Sequence, residues 1–198
     1  MKSAAPLNGL VLAGGRSRRF GQDKAALTVR GKALLERAVD LLTPRVNQVF
    51  VSVRPDQRDD TLRSRFSLLV DTLAEGGPPA GLLAAHARVP TAAWLVIACD
   101  LAALDAEALE ILVAARQPAR EATAYEGPLN GQPEPLCAIY EPVALARLST
   151  LAEQGGNLSP RDLLVQGDTE LLRPRRVEAL ANVNRPADLE ALQNRGLC

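Results

Sequence analysis

The stretch LVLAGGRSRRFGQDK at residues 10–24 determines how the rest of the chain is organised. Its apolar residues 10–12 are continuous and branched, as in a buried strand, and Gly14 and Gly15 then end the extended pattern. Paired glycines let backbone N–H groups come close to a ligand because no Cβ stands in the way. The positive charges of the loop come from Arg16, Arg18, Arg19 and Lys24. The stretch therefore predicts a strand followed by a loop that binds a polyanion, with phosphate as the first expectation.

Two common phosphate motifs do not match this spacing. The dinucleotide-binding fingerprint requires G-x-G-x-x-G, and the P-loop requires G-x-x-x-x-G-K-[ST]. The residues after Gly14 satisfy neither pattern, because Arg19 and Phe20 stand where the second P-loop glycine would fall. The loop is therefore of a different phosphate-binding type.

The ordered string at residues 12–24 resembles the signature L-A-G-G-x-S-x-R-M-G-x-D-K of the molybdenum cofactor guanylyltransferases, a MobA-like nucleotidyltransferase family. Phe20 stands where the family usually has Met. A second match, Asn-x-Asn-x-Pro, lies at residues 182–186, so the resemblance covers nearly the whole chain. In this family's pattern the first of those asparagines, Asn182, is a metal ligand.

Length and composition indicate one soluble domain. The chain has 198 residues and 47% hydrophobic content, which is enough for one sizeable core, and we expect a single domain over residues 1–198. The formal net charge is zero, so the cationic character is local, which argues against nucleic-acid or membrane-surface binding. We also expect a monomer.

Cysteine usage and the N-terminal sequence predict the cellular location. Cys99, Cys137 and Cys198 are far apart and form no C-x-x-C pair, which argues against a disulfide or zinc framework and favours a reducing compartment. The first apolar run is interrupted at Gly14, too early for a secretory segment or a membrane span. The expected location is the cytoplasm.

Apolar periodicity predicts strands that alternate with helices in the first half of the chain. Strands are predicted at residues 10–12, 46–53, 68–70 and 94–99, with helices at residues 34–42 and 80–88. In the second half the pattern predicts helices at residues 106–115, after Ser159 and at residues 187–193, and strands at residues 122–125 and 136–140. This order is typical of an α/β fold with a mostly parallel central sheet covered on both faces.

The fold expected is therefore a single-domain, Rossmann-like three-layer sandwich, and the resemblance specifies the nucleotide-diphospho-sugar transferase type. Within it, residues 7–104 are expected to bind the nucleotide and residues 105–198 the acceptor. Ligands of open α/β sheets lie beyond the carboxyl ends of the strands. The residues that follow the apolar runs should therefore meet there, namely Gly14, Gly15, Arg54, Asp71 and Asp100.

The acidic residues at this edge suit a hard cation. Mg²⁺ prefers one or two carboxylates together with substrate phosphates, so Asp100 is the predicted metal ligand, with Mn²⁺ as an alternative ion. Asp71 is predicted to contact the nucleotide or to support the metal site. The resemblance assigns the same role to Asp100 and adds Asn182 as a metal ligand.

The inventory of side chains indicates transfer without an activated protein nucleophile. The one histidine, His86, falls in a helical stretch, and no Ser or Cys has partners that suggest a triad. A phosphate monoester acceptor needs no general base, because its second pKa is about 6. The barrier is then mainly repulsion between anions, which a metal and cationic side chains lower.

The resemblance implies transfer of GMP from GTP to the phosphate of molybdenum-molybdopterin, forming the guanine dinucleotide and pyrophosphate. The implied catalytic residues are Arg19, Lys24 and Asp100. The implied nucleotide-binding residues are Leu12, Ala13, Gly14, Gly15, Lys24, Arg54, Asp71, Gly77 and Asp100. Molybdoenzyme chaperones or apo-molybdoenzymes would be the protein partners.

The acceptor requires an anion site of its own. We place it at Asn157, Ser159 and Arg161, because Arg161 lies in the first turn of a predicted helix, whose N-terminus favours anions. The alternative for these residues is a capped helix with an exposed arginine.

Two departures from the family pattern concern the base. Arg54 stands where the family commonly has Asn, and Pro79 replaces Leu in the G-P-L-A-G string at residues 77–81. A cytidylyltransferase acting on the same acceptor is therefore the nearest alternative. A cofactor-binding chaperone without turnover is another, although the intact Gly14, Lys24 and Asp100 argue against it.

Overall fold

The computed structural model describes residues 4–15, 21, 23–71, 73, 76–127 and 131–198, which form layers around a seven-stranded sheet. The nine strands of the described chain are β1 (Leu7–Leu12), β2 (Thr28–Val29), β3 (Lys32–Ala33), β4 (Val49–Val53), β5 (Leu68–Val70), β6 (Ala93–Ala98), β7 (Ala122–Glu126), β8 (Pro133–Tyr140) and β9 (Thr169–Leu172). The sheet has the order β5-β4-β1-β6-β8-β7-β9, and β2 and β3 form a separate hairpin. Only β8 runs antiparallel to its sheet neighbours, so the sheet is mostly parallel, as predicted.

Helices cover both faces of this sheet. They are α1 (Leu34–Leu42), α2 (Pro78–Arg88), α3 (Ala106–Ala114), α4 (Pro142–Glu153), α5 (Pro160–Gln166) and α6 (Pro186–Asn194). Residues of α1 and α3 share one buried apolar cluster with the sheet, and residues of α2, α4 and α5 share a second cluster on the other face. The predicted three-layer sandwich is therefore confirmed.

Local sequence signals explain where the helices begin. Asp105 caps α3 by accepting a hydrogen bond from Ala108 N, and Ser159 caps α5 by accepting one from Asp162 N. A side-chain cap of this kind contributes about 1 kcal/mol to stability. Helix α1 has no such side-chain cap, and its apolar stripe is buried at Leu34, Leu35, Ala38 and Leu42. Because burying one leucine side chain contributes about 1.5–3 kcal/mol, packing against the sheet is what stabilises α1.

The structure differs from the predicted alternation between β4 and β5. Residues 54–67 contain only two short 3-10 turns, Pro55–Gln57 and Arg63–Arg65, and no α-helix. Strand β9 was also missing from the prediction, because its sequence TELL lacks a long apolar run. It lies at the edge of the sheet and pairs with β7 alone, where a half-polar sequence is tolerated.

Strand register brings the predicted site residues to one edge of the sheet. Leu12 lies opposite both Ser52 of β4 and Ala98 of β6, and Val53 lies opposite Val70 of β5. The residues that follow these parallel strands therefore emerge side by side. Because β8 is antiparallel to β6, the first residues of β8 lie at this edge. The rule that site residues follow the ends of strands therefore did not predict them.

Among the described residues, no helix has both the length and the apolar content needed to cross a bilayer.

Candidate active site

A cavity of about 190 Å³ opens at the carboxyl edge of the parallel strands. All the predicted nucleotide-binding residues except Arg54 line it, namely Leu12, Ala13, Gly14, Gly15, Lys24, Asp71, Gly77 and Asp100. Arg19, predicted as catalytic, lies outside the described residues. The cavity is also lined by residues that were not predicted as site residues, among them Asp23, Ser52 and Leu136.

Lys24 and Asp100 meet in this cavity although 76 positions separate them in sequence. Lys24 Nζ donates to Asp100 Oδ2 at 2.9 Å and to Asn184 Oδ1 at 2.9 Å. A backbone hydrogen bond of 3.0 Å from Val183 N to Asp100 O holds the segment of Asn184 against the end of β6. The two sequence motifs, at residues 12–24 and 182–186, therefore meet at Lys24 and Asp100.

Asp100 and Asn182 carry the oxygen donors predicted for a divalent cation. Asn182 Oδ1 is a buried acceptor that has no hydrogen-bond partner among the described residues. Asn182 directly precedes Val183, whose backbone N–H binds Asp100 O. One carboxylate plus an unused amide oxygen is a donor set that Mg²⁺ or Mn²⁺ completes with substrate phosphates. The described residues contain no cluster of three or more acidic, His or Cys side chains that could hold a metal ion among themselves.

Asp71 is the buried acid of the site. Its side chain is 4% exposed, and Ser52 Oγ donates to Asp71 Oδ1 at 2.7 Å. Burial raises the pKa of Asp71, while the Ser52 hydrogen bond and the charge of Arg54 act in the opposite direction. A Cβ on Gly14 would lie 3.2 Å from Asp71 Oδ2, so glycine leaves room for this carboxylate beside the loop.

Arg54 supports the glycine loop from behind. It donates to the backbone carbonyl of Gly14, and its Nε and Nη2 each lie 2.9 Å from the Asp56 carboxylate. Its side chain is 17% exposed but does not line the cavity. The structure therefore places Arg54 beside the phosphate loop, and its contact with a nucleotide remains a prediction.

The predicted acceptor residues lie at the start of α5. Asn157 Oδ1 accepts from Ser159 N at 2.9 Å, and Ser159 Oγ caps the helix, so both side chains serve the turn that precedes it. Arg161 Nη2 lies 3.7 Å from Glu134 Oε2. None of the three predicted residues lines the cavity, although Glu134 is two positions from Leu136, which does. Their role in acceptor binding stays a prediction.

Neither candidate nucleophile nor candidate base is poised for covalent chemistry. Cys99 lines the cavity, but burial and the neighbouring Asp100 raise the pKa of its thiol to about 12, so the thiol is protonated at neutral pH. His86 lies on α2 outside the cavity, and burial lowers its pKa. Direct transfer without a protein nucleophile stays a prediction.

Buried Glu134 is another residue that the sequence analysis missed. Its Oε1 accepts from Leu136 N at 3.0 Å, and burial raises its pKa, opposed by that hydrogen bond and by Arg161. The sequence signal was weak, because Glu134 lies between two prolines and begins rather than ends a strand. Knowing that β8 is antiparallel would have pointed to it.

Comparison with known proteins agrees with this geometry. The family model of the MobA-like NTP transferase domain matches residues 9–171. A molybdenum cofactor biosynthesis bifunctional protein of Synechocystis sp. is 40% identical over 94% of this chain, which spans only 53% of that protein. A probable molybdenum cofactor guanylyltransferase of Mycobacterium avium is 35% identical, over 97% of this chain and 98% of its own.

Solved structures share the architecture. Molybdopterin-guanine dinucleotide biosynthesis protein A from Archaeoglobus fulgidus superposes with a TM-score of 0.76 at 25% identity, covering 96% of this chain and 98% of its own. Rv0371c from Mycobacterium tuberculosis, solved in complex with manganese, has a TM-score of 0.65 at 19% identity over 98% of both chains and shares the fold. The resemblance seen in the sequence is confirmed. The chain belongs to the MobA-like NTP transferase family.

Proposed function

We propose that this chain transfers GMP from GTP to the phosphate of molybdenum-molybdopterin and releases pyrophosphate. The observation that carries the proposal is the contact of Lys24 with Asp100 across a cavity bordered by Gly14 and Gly15. A cation, a metal-binding carboxylate and exposed backbone N–H groups are the parts that phosphoryl transfer requires. Relatives named as probable molybdenum cofactor guanylyltransferases, such as that of Mycobacterium avium, cover up to 97% of this chain.

In this reaction an oxygen of the acceptor phosphate forms a bond to the α-phosphorus of GTP, and the bond from that phosphorus to the pyrophosphate oxygen breaks. Gly14 and Gly15 hold the triphosphate through their N–H groups, and Lys24 neutralises its charge. Asp100 and Asn182 would hold Mg²⁺, which would supply positive charge at the phosphates. No proton transfer to the protein is needed, because the acceptor is already anionic.

Asp71 gives a reason to prefer guanine. Guanine presents its N1–H and N2 amino donors side by side, whereas the same edge of cytosine presents one donor, the N4 amino group, beside the N3 and O2 acceptors. Asp71 is acceptor-only when ionised, and Ser52 occupies one of its oxygens. The other oxygen, Asp71 Oδ2, can accept hydrogen bonds from the adjacent guanine donors and would repel an acceptor such as cytosine N3. We therefore assign base recognition to Asp71, with Gly77 at the neighbouring wall of the cavity.

The acceptor side is assigned to the start of α5. Arg161 is the proposed acceptor contact, and Asn157 and Ser159 hold the turn that presents it. Delivery of the product to apo-molybdoenzymes or their chaperones would follow in the cytoplasm. The three cysteines are unpaired thiols, which agrees with a reducing compartment.

Competition between GTP and CTP for one labelled molybdenum-molybdopterin acceptor tests the proposal. We expect GTP to be preferred by at least ~100-fold in kcat/KM, at the low end of hydrogen-bond discrimination. A cytidine product equal to the guanosine product would overturn the guanylyl assignment. Absence of pyrophosphate release with every nucleoside triphosphate would overturn the transferase assignment itself.

A further inference from the structure

Arg63 is a fully buried arginine that the proposed reaction does not use directly. It lies in the 3-10 turn Arg63–Arg65, between β4 and β5, and its side chain is 1% exposed. Burying a guanidinium is costly unless its donors are paired. Its terminal nitrogens make four hydrogen bonds, to Asp23, Asp60 and the backbone of Ala13.

These partners come from both ends of the glycine loop. Arg63 Nη2 donates to Ala13 O at 3.1 Å, at the end of β1 and directly before Gly14. The same guanidinium donates two hydrogen bonds, of 2.6 and 2.9 Å, to the carboxylate of Asp23, the residue that directly precedes Lys24. One planar group therefore sets the distance between the backbone that precedes the glycines and the residue that precedes the lysine.

We propose that Arg63 is a positioning residue for nucleotide binding, which holds Gly14 and Gly15 in register with Lys24 through Ala13 and Asp23. The inference rests on the proposed function, because it assigns the triphosphate to these groups. Arg63 itself lies behind the cavity and touches no substrate. It acts through the main chain of Ala13 and the side chain of Asp23.

The geometry requires an arginine at this position. Asp23 also accepts from Ala25 N at 3.1 Å, so the carboxylate that Arg63 orients caps the turn in which Lys24 lies. Asp60 Oδ1 accepts hydrogen bonds from both the backbone N–H and the Nη1 of Arg63, and these bonds keep the arginine in place. A lysine has one point-like ammonium and cannot serve Ala13 O and both Asp23 oxygens in one plane.

The chain contains a matched arginine at the opposite end of β1. Arg116 donates to Glu141 from Nε at 2.6 Å and from Nη2 at 2.9 Å, and Nη2 also donates to Ala5 O at 2.8 Å. Ala5 precedes β1, whereas Ala13 follows it. Both arginines thus join a carboxylate to a backbone carbonyl next to the same strand. Only Arg63 does so beside the cavity.

The experiment compares Arg63→Lys with Arg116→Lys by titrating GTP, in the presence of Mg²⁺, into each full-length variant. We expect both variants to lose thermal stability. We expect Arg63→Lys alone to raise the Kd for GTP, by about 10- to 100-fold, the range seen when a residue that orients a binding group is lost. Asp23→Asn should raise the Kd for GTP to a similar extent. The double variant should lose less binding free energy than the sum of the two single variants, because the two residues act as one unit.

Equal GTP affinity in Arg63→Lys and the wild type would overturn the inference. An equal loss of GTP affinity in Arg63→Lys and Arg116→Lys would also overturn it, because that result would indicate a general effect of lower stability. If Arg63→Lys does not fold, Asp23→Asn carries the same comparison.

A wild-type protein that binds no GTP would count against the proposed function instead. In that case hydrogen exchange in the free protein tests the positioning role. The amides of Ala25 and Ala26 should exchange faster in Arg63→Lys than in the wild type and Arg116→Lys, and unchanged exchange would overturn it.

Discussion

Lys24 Nζ lies 2.9 Å from Asp100 Oδ2, so the lysine pairs with the carboxylate that we propose as a metal ligand. The side chains are only 15% and 19% exposed, so their attraction is stronger than at an open surface. Metal and triphosphate provide each of them with a new partner of opposite charge. We infer that nucleotide binding exchanges this ion pair for a lysine to phosphate contact and a carboxylate to metal contact.

Lys24→Ala separates these two roles. The variant should lose about 1.5 to 3 kcal/mol of GTP binding or transition-state stabilisation, the range for a charged hydrogen bond. Without nucleotide, it should bind Mn²⁺ more tightly than the wild type, because Asp100 no longer has the ammonium beside it. GTP titration and paramagnetic detection of bound Mn²⁺ measure the two effects.

Lys32→Ala is the matched control for that measurement. Lys32 also pairs with an aspartate, at 2.6 Å from Asp40, but both side chains are exposed and outside the cavity. It should leave GTP and Mn²⁺ binding unchanged. Weaker Mn²⁺ binding by Lys24→Ala than by the wild type would contradict the ion-pair exchange.

Asp100→Asn tests the metal-binding carboxylate. The substitution keeps the shape of the side chain and removes its charge, so turnover should fall by roughly 10²-fold or more, the scale for loss of one preorganised electrostatic contact. Asp40→Asn, at an exposed position, is the control. Near-normal turnover of Asp100→Asn at saturating Mg²⁺ would refute the assignment.

Gly81→Ala tests how α2 is seated on the strand ends. A Cβ at Gly81 would lie 2.5 Å from Ser52 Oγ and 2.6 Å from Leu12 Cδ2, too close for any real side chain. Either the helix or these side chains must shift, at a cost of about 1 to 3 kcal/mol in unfolding free energy. Gly15→Ala, where a Cβ meets no atom of the described residues within 4 Å, is the control for stability. Denaturant unfolding of both variants checks the difference, and equal midpoints would contradict the tight seating of α2.

Asp71→Asn should make the protein more stable at neutral pH. Burial raises the folded-state pKa of Asp71 above its unfolded value, so the folded state favours the protonated form. The protonated side chain therefore contributes its full stabilisation at pH values below the unfolded-state pKa of Asp71. This stabilisation is lost as the pH rises through the folded-state pKa. At neutral pH the wild type therefore carries an unfavourable buried charge that the amide does not.

Melting temperatures across the acidic to neutral range test this prediction. The advantage of Asp71→Asn should be largest at neutral pH and should diminish as the pH falls through the folded pKa of Asp71. Ser52 can still donate to the amide oxygen, so the variant keeps that hydrogen bond. A variant that is less stable than the wild type at neutral pH would show that the ionised carboxylate stabilises the fold. GTP binding by the same variant should weaken, because the acceptor for the base is altered.

Some conclusions depended only on local sequence. The strand that ends at Leu12 was predicted because a continuous apolar run followed by paired glycines has few structural interpretations. The starts of α3 and α5 followed from Asp105 and Ser159, since a cap acts within one helical turn. The convergence of Gly14, Asp71 and Asp100 followed from the rule for parallel strands and was confirmed in the cavity.

Other features depended on residues that are distant in sequence. The antiparallel direction of β8, and with it the position of Glu134 and Leu136, has no local signal, because an apolar run reads the same in either direction. An arginine in a polar connection such as Arg63 is normally an exposed residue. Only the tertiary structure shows it buried between Ala13 and Asp23, because its partners lie 50 and 40 positions away. The sequence by itself determined the candidate site residues, through local patterns, and the tertiary structure decided which residues hold them in place, because such contacts join segments that no local pattern relates.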